Sequence, residues 1–351
     1  MTGDILVAVA MSGGVDSSVT AALLLERGYR VLGLTMRLWH EPPEEAMEAA
    51  ANDARAVCQA LGIPHHVIDL RDLFYAQVVQ PFVRAYSEGR TPNPCLTCNR
   101  ALKFGALLEQ ARALGAQYLS TGHYARIRRA GDAWQLCCAV DPHKDQSYVL
   151  YALGQAQLAS LILPLGDLTK AQVRAYATQH GLPAAERAES QDICFMRDQD
   201  YRRFLAERAP EVLCPGPILD VQGHVLGQHK GLPLYTVGQR EGLGLAMPRP
   251  LYVKQLDMAR NALVVGYLEE LGRTELLAEE MSYVSGVPVP PGLAVEAKIR
   301  YRARRVAAQV WPLADGRARV AFAQPLRDIT PGQAVVLYAG EVVLGGGIIA
   351  E

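Results

Sequence analysis

Cys95 and Cys98 stand at a Cys-x-x-Cys spacing within Arg90-Thr91-Pro92-Asn93-Pro94-Cys95-Leu96-Thr97-Cys98-Asn99, and Cys194 lies far along the chain in Gln191-Asp192-Ile193-Cys194-Phe195. Two prolines within three residues are expected to exclude a helix there and to stiffen the backbone. Three chemistries fit such thiols. A structural zinc site would need a second pair, and the adjacent Cys137-Cys138 chelates poorly. Inert burial is the common fate of free thiols and suits Cys58, Cys137, Cys138 and Cys214. Sulfur transfer is the third: one thiol carries a terminal sulfur as a persulfide and a second resolves it as a disulfide. That chemistry needs two converging thiols, the attacking one with a lowered pKa.

A second constellation is Ala10-Met11-Ser12-Gly13-Gly14-Val15-Asp16-Ser17-Ser18. It follows an apolar run and opens a helical pattern. Glycines let a ligand approach the backbone, serines supply hydroxyls, and a helix start supplies free N–H groups with partial positive charge. A phosphate chain fits. Asp16 is unusual beside an anion, and holding Mg²⁺ at the phosphates would account for it. A plain helix-capping corner is the competing reading. The Gly-Lys-Ser/Thr ending of a Walker loop is absent.

These residues need a scaffold. Residues 5–10, 31–36, 65–70 and 118–121 read as strands, with helical patterns at 17–26, 52–61 and 107–114 between them. The alternation predicts a parallel sheet with helices on both faces, its ligand at the carboxyl ends of the strands. Met36 ends the second strand and Gly122 follows the fourth, so both are candidates to lie against a nucleotide. After about Phe195 the pattern becomes turn-rich, with short β-type runs at 234–237, 251–254 and 262–265. From about Glu279 onward it is all β, with bends at Pro331-Gly332 and Gly345-Gly346-Gly347, suggesting a small barrel.

Composition limits the rest. The 351 residues are long for one domain, and 50% hydrophobic with 20% charged residues describes a globular chain. Seven cysteines without the density of a secreted scaffold point to a reduced, cytoplasmic setting. No apolar run is long enough for a membrane span. A net charge of −1 means that any nucleic-acid grip is local. Lys298, Arg300, Arg302 and Arg304 fall on one face if 298–305 is a strand. That makes a phosphate track, or merely a solvated face.

The loop resembles the Ser-Gly-Gly-x-Asp-Ser signature of the PP-loop ATP pyrophosphatases. Together with Thr91-Pro92-Asn93-Pro94, Gln191-Asp192-Ile193-Cys194-Phe195 and Tyr235-Thr236-Val237-Gly238-Gln239-Arg240, the chain resembles the bacterial tRNA-specific 2-thiouridylases almost end to end. The resemblance implies a PP-loop catalytic domain (1–200), a small central domain (201–275) and a C-terminal, tRNA-contacting β-barrel (276–351). It implies ATP with Mg²⁺ bound by Ala10, Met11, Ser12, Gly13, Gly14, Val15, Asp16, Ser17, Met36 and Gly122. Cys194 would be the persulfide carrier and Cys98 its partner. Asn93, Pro94 and Cys95 would meet the target base. His123, Lys144, Asp145, Gln146, Tyr301, Arg302 and Gln333 would meet the tRNA, although His123 reads nearly as well as a structural histidine. Some family members carry Asp where this chain has Cys95, which leaves the general acid/base unassigned.

The implied partners are tRNA, a sulfur donor (a cysteine desulfurase or sulfur-relay protein) and a reductant for a Cys98–Cys194 disulfide. The implied reaction is adenylation of the wobble-uridine C2 oxygen and sulfur delivery, with AMP and pyrophosphate released. The target base is expected to be flipped from its stack. A pyrophosphatase acting on a small molecule, and a zinc-dependent RNA-binding module, are the rival readings.

Overall fold

The chain's first strand, Leu6–Ala10, buries Val7, Ala8 and Val9 completely, as a strand covered on both faces must. The computed structural model describes residues 3–39, 44–185, 193–196 and 200–350, with the backbone alone for 44–48. Side chains alternate along the strand. Val7 and Val9 join a core with Val31, Leu24 and Val57, while Ala8 packs with Leu32, Leu34, Leu107 and Leu119. The parallel sheet runs His65–Asp69, Arg30–Arg37, Leu6–Ala10, Tyr118–Ser120, Leu161–Ile162. The chain builds outward from Leu6–Ala10 on one side and then jumps to the other. The crevice between Leu6–Ala10 and Tyr118–Ser120 is therefore the topological switch point, where open α/β sheets take ligands. The loops that leave these two strands carry Ser12–Asp16 and Gly122-His123.

Beyond this lies a four-stranded sheet ordered Tyr252–Asp257, Ala262–Gly266, Gly216–Leu219, Val225–His229. The β-type run expected at 234–237 is a 3₁₀ turn, Leu232–Leu234, followed by loop. Gly231 and Gly238 hold positive φ there, and Pro233 has no ladder N–H. Leu232 and Tyr235 are apolar because they fill the core of this unit.

The C-terminal strands close a barrel in the order Arg273–Tyr283, Ala318–Leu326, Val306–Pro312, Leu293–Lys298, Ala334–Ala339, Val342–Ile349, the last pairing back to the first. Gly345-Gly346-Gly347, expected as a bend, lies inside the final strand. A Cβ on Gly346 would come 2.5 Å from the Val335 carbonyl oxygen, and one on Gly347 2.7 Å from that of Glu279. The glycines permit close backbone approach where the barrel shuts. Gly346→Val is expected to destabilise the barrel by about 3 kcal/mol, read as a lower urea midpoint. An unchanged midpoint would show that closure tolerates a side chain. A hairpin of the first unit, Ala125–Ala130 and Ala133–Cys138, extends the same sheet through Cys137 opposite Val342. Among the described residues no helix is long and apolar enough to cross a membrane.

Candidate active site

Met11 is fixed to the second strand. Its N–H donates to the Leu34 carbonyl at 2.7 Å, and its own carbonyl accepts from the Thr35 hydroxyl at 2.9 Å. From there Gly13 turns at φ 74° and the helix Val15–Glu26 begins. Gly14 at the cap carries no side-chain oxygen, so the first helical N–H groups are left for a ligand. The hydroxyls of Ser17 and Ser18 both donate to the Gly14 carbonyl, and Ser12 stays exposed 3.3 Å from Ser17. Gly122 approaches so closely that a Cβ would lie 2.9 Å from that of Asp16. Its glycine identity is thus already required by the loop itself. Met36 is half-buried at the strand end, against the apolar cores.

Asp16 is not open. Lys170 Nζ sits 2.7 and 2.8 Å from its two carboxylate oxygens, and the Tyr124 hydroxyl donates at 2.7 Å. Lys170 is 8% exposed. Its backbone N–H donates to Asp141, which fixes the start of its helix. In this arrangement the loop's carboxylate is balanced by a lysine. That does not match the Mg²⁺-binding role expected of it. The sequence reading missed Lys170 and Tyr124. Lys170 lies 154 positions from its partner, and only the Thr169/Gln172 capping box marks its helix start.

The proline-rich stretch departs from expectation. Pro94 is the first residue of a helical turn, Pro94–Thr97, with the Asn93 side chain accepting from the Cys95 N–H at 3.1 Å. A proline at this position loses no intrahelical hydrogen bond. The turn runs directly into a π-wound segment, Cys98–Ala106. Cys98 is buried in a cluster with Phe82, Phe195 and Leu102. The Phe195 ring packs 5.3 Å from Phe82, 5.2 Å from Phe204 and 5.7 Å from Phe74. This anchor places the neighbouring Cys194 within electrostatic reach of Cys98 and Cys95. Residues 190–192 of the same motif lie outside the described residues.

All seven cysteines are free. None of the three converging thiols is activated. Surrounding protein atoms raise Cys95, Cys98 and Cys194, the last to about 12, although of the three only Cys98 is buried from solvent and Cys95 and Cys194 are exposed. The lowered pKa expected of the attacking thiol is absent, because desolvation outweighs the opposite pull of Lys103. Cys58 is buried, which raises it to about 11. Cys214, expected to be buried, is exposed. Among the described residues no three His, Cys, Asp or Glu side chains are grouped to hold a metal.

The residues expected to touch RNA are largely engaged within the protein. His123 is buried, its Nδ1 2.7 Å from the Thr121 hydroxyl and its ring 5.6 Å from Phe104. Desolvation holds its pKa well below the usual value, so it is neutral. The Asp145 carboxylate accepts from the Ala139 and Ser147 N–H groups, and Gln146 accepts from that of Tyr124. Lys144 is half-buried in the same turn. Gln333 donates to the Thr91 carbonyl at 2.8 Å, tying the barrel to the cysteine loop. Tyr301 packs on the Tyr148 ring at 5.9 Å, and Arg302 is exposed. The alternating basic face fails because the strand ends at Lys298. Arg300 then donates to the Val237 carbonyl and the Thr330 hydroxyl, and Arg305 lies 3.8 Å over the Tyr338 ring.

Three family profiles cover most of the chain. The profile described as "tRNA methyl transferase HUP domain" matches residues 5–198, "tRNA methyl transferase PRC-barrel domain" 202–267, and "Aminomethyltransferase beta-barrel domain" 273–349. The tRNA-specific 2-thiouridylase MnmA of Moorella thermoacetica is 53% identical over 350 residues, covering 97% of this chain and 98% of that protein. The protein of the same name from Magnetococcus marinus is 51% identical over 358 residues, covering 99% and 100%. A solved 4-thiouridine synthetase–RNA complex with bound ATP has a TM-score of 0.36 and 16% identity over 59% of this chain and 50% of that one, too distant to bear on the assignment. With relatives this similar along nearly its whole length, the chain belongs to the tRNA-specific 2-thiouridylase family.

Proposed function

We propose that the protein thiolates the wobble uridine of tRNA at C2, consuming ATP as a substrate and drawing sulfur from a persulfide on Cys194. The observation that carries this reading is the nearness of the thiols: Cys194, next to the Phe195 that packs in the same apolar cluster as Cys98, lies within electrostatic reach of Cys98. Residues 1–200 would act as the catalytic unit, 201–275 as the central unit and 276–351 as the tRNA-contacting barrel. The open helix start after Ser12-Gly13-Gly14 suits the phosphates of ATP, with the Lys170 ammonium beside it as a positive charge.

A uridine C2 oxygen leaves poorly. Adenylation makes it part of AMP, and pyrophosphate departs. The terminal persulfide sulfur on Cys194 then attacks C2 and AMP leaves. The Cys98 thiolate attacks Cys194 Sγ and the Sγ–S bond breaks, its electron pair staying with the sulfur on C2. The base becomes a 2-thiouridine, and Cys98 and Cys194 become a disulfide. The two electrons lost by the thiols are returned by an external reductant. A cysteine desulfurase or relay protein reloads Cys194. These partners and the tRNA set the work in the cytoplasm.

The test is mass spectrometry of nucleosides from tRNA incubated with the protein, ATP, Mg²⁺ and a cysteine desulfurase with cysteine. 2-Thiouridine that depends on ATP and on this protein is the expected product. A thiolated nucleoside missing under every sulfur source would defeat the reading.

A further inference from the structure

Lys103 belongs to neither the nucleotide loop nor the cysteine motif, yet the backbone delivers it to the thiols. Cys95 and Cys98 are three apart across the turn Pro94–Thr97, so they share a face. Under continued α-winding a residue five beyond Cys98 would lie about 140° round the axis. The chain is π-wound from Cys98 to Ala106 instead, and the wider i→i+5 winding brings residue 103 back toward the face that carries residue 98. The half-buried Lys103 ammonium accordingly acts on Cys95, Cys98, Cys194 and His123 alike.

The other described groups at the cluster do not supply that charge. His123 is neutral and held by Thr121. Tyr301 and Asp145 lie on the Cys95 side and are neutral or negative. Arg100, on the same helix, turns away to Glu280 at 3.5 Å. Cys95 itself brings only a third thiol. Among the described residues Lys103 is thus the cation that the three sulfurs share, placed by a helical irregularity of the kind that recurs at functional sites.

We infer that Lys103 is a positioning residue for the sulfur transfer, its ammonium serving as the common counter-ion for the persulfide anion on Cys194 and the thiolate of Cys98. The inference rests on the sulfur-transfer reading above. As the persulfide sulfur leaves for C2, negative charge departs from Cys194. When Cys98 attacks, negative charge must already sit on its sulfur. One lysine within electrostatic reach of both serves both moments without moving a proton itself.

The test follows iodoacetamide alkylation of the full-length protein against pH. Tryptic peptide 91–100 contains both Cys95 and Cys98, which fragment masses separate. Lys103→Gln is expected to slow Cys98 alkylation at pH 8 about tenfold and to displace its profile to higher pH, with Lys103→Arg within about twofold of the parent. Lys103→Met provides a second neutral variant should Lys103→Gln not fold. Coincident profiles for a folded neutral variant and the parent would overturn the inference. A merely structural lysine would also leave the profile in place while lowering stability. If the shift is found but Cys194→Ala still thiolates tRNA, the counter-ion role stands and the proposed reaction falls.

Discussion

Cys194→Ala is expected to lower tRNA thiolation by about 10³-fold or more while ATP cleavage prompted by tRNA continues. The two half-reactions use different parts of the site. Activation of C2 rests on the loop at the switch point, and sulfur delivery rests on the thiols. With residue 194 unable to carry sulfur, the activated base waits and is lost to water. The check is parallel measurement of AMP and 2-thiouridine under limiting cysteine desulfurase. Full thiolation by the variant would remove the persulfide from the scheme, and equal loss of both products would merge the two half-reactions. Substituting Phe195 instead should loosen the anchor rather than delete the chemistry, because its ring contacts with Phe74, Phe82 and Phe204 hold the segment in place.

Lys170→Met is expected to reduce ATP-dependent activation by about 10²-fold and to destabilise the fold by roughly 2 kcal/mol. The stability loss arises because the Asp16 carboxylate, one-third exposed, loses the ammonium that balances it and retains the Tyr124 hydroxyl as its partner among the described residues. Pairing the change with Asp16→Asn separates the two effects. The double variant should recover most of the stability, since the orphaned charge is gone, but not the activity, since the loop still lacks its cation. Thermal melts and AMP release measure the two quantities. Activity returning together with stability would make Lys170 a scaffold residue only.

Legibility in the sequence followed distance along the chain. Ser12-Gly13-Gly14-Val15-Asp16 is one contiguous strand–turn–helix corner, and its neighbours announce it. Lys170 completes that corner from a helix made much later, and nothing local to it reports the contact. Pro94 misled because proline forbids a helix interior but favours the first helical position. The glycines at 345–347 misled for a related reason: a run of glycine marks either a turn or a place where backbones nearly touch, and the second depends on tertiary closure. The state of the thiols was hidden too. A Cys-x-x-Cys spacing is compatible with an activated sulfur, but desolvation by Phe82 and Phe195 is supplied by packing. Burial of His123 had the same origin. The parallel sheet and its switch point were readable because each strand is a local apolar run and alternation with helices leaves few topologies.

The hairpin shared between the first unit and the barrel bears on how the polypeptide emerges from the ribosome. The edge at Leu136-Cys137 is translated roughly two hundred positions before Val342 and Val343, the residues that cover it. At about 5–20 residues per second, that edge waits on the order of 10–40 s without its neighbour. For that interval it is an unsatisfied strand in an otherwise completed unit, the kind of surface that recruits stray chains. A fragment ending near residue 198 would keep the exposure permanently, so association of nascent or truncated products should begin there.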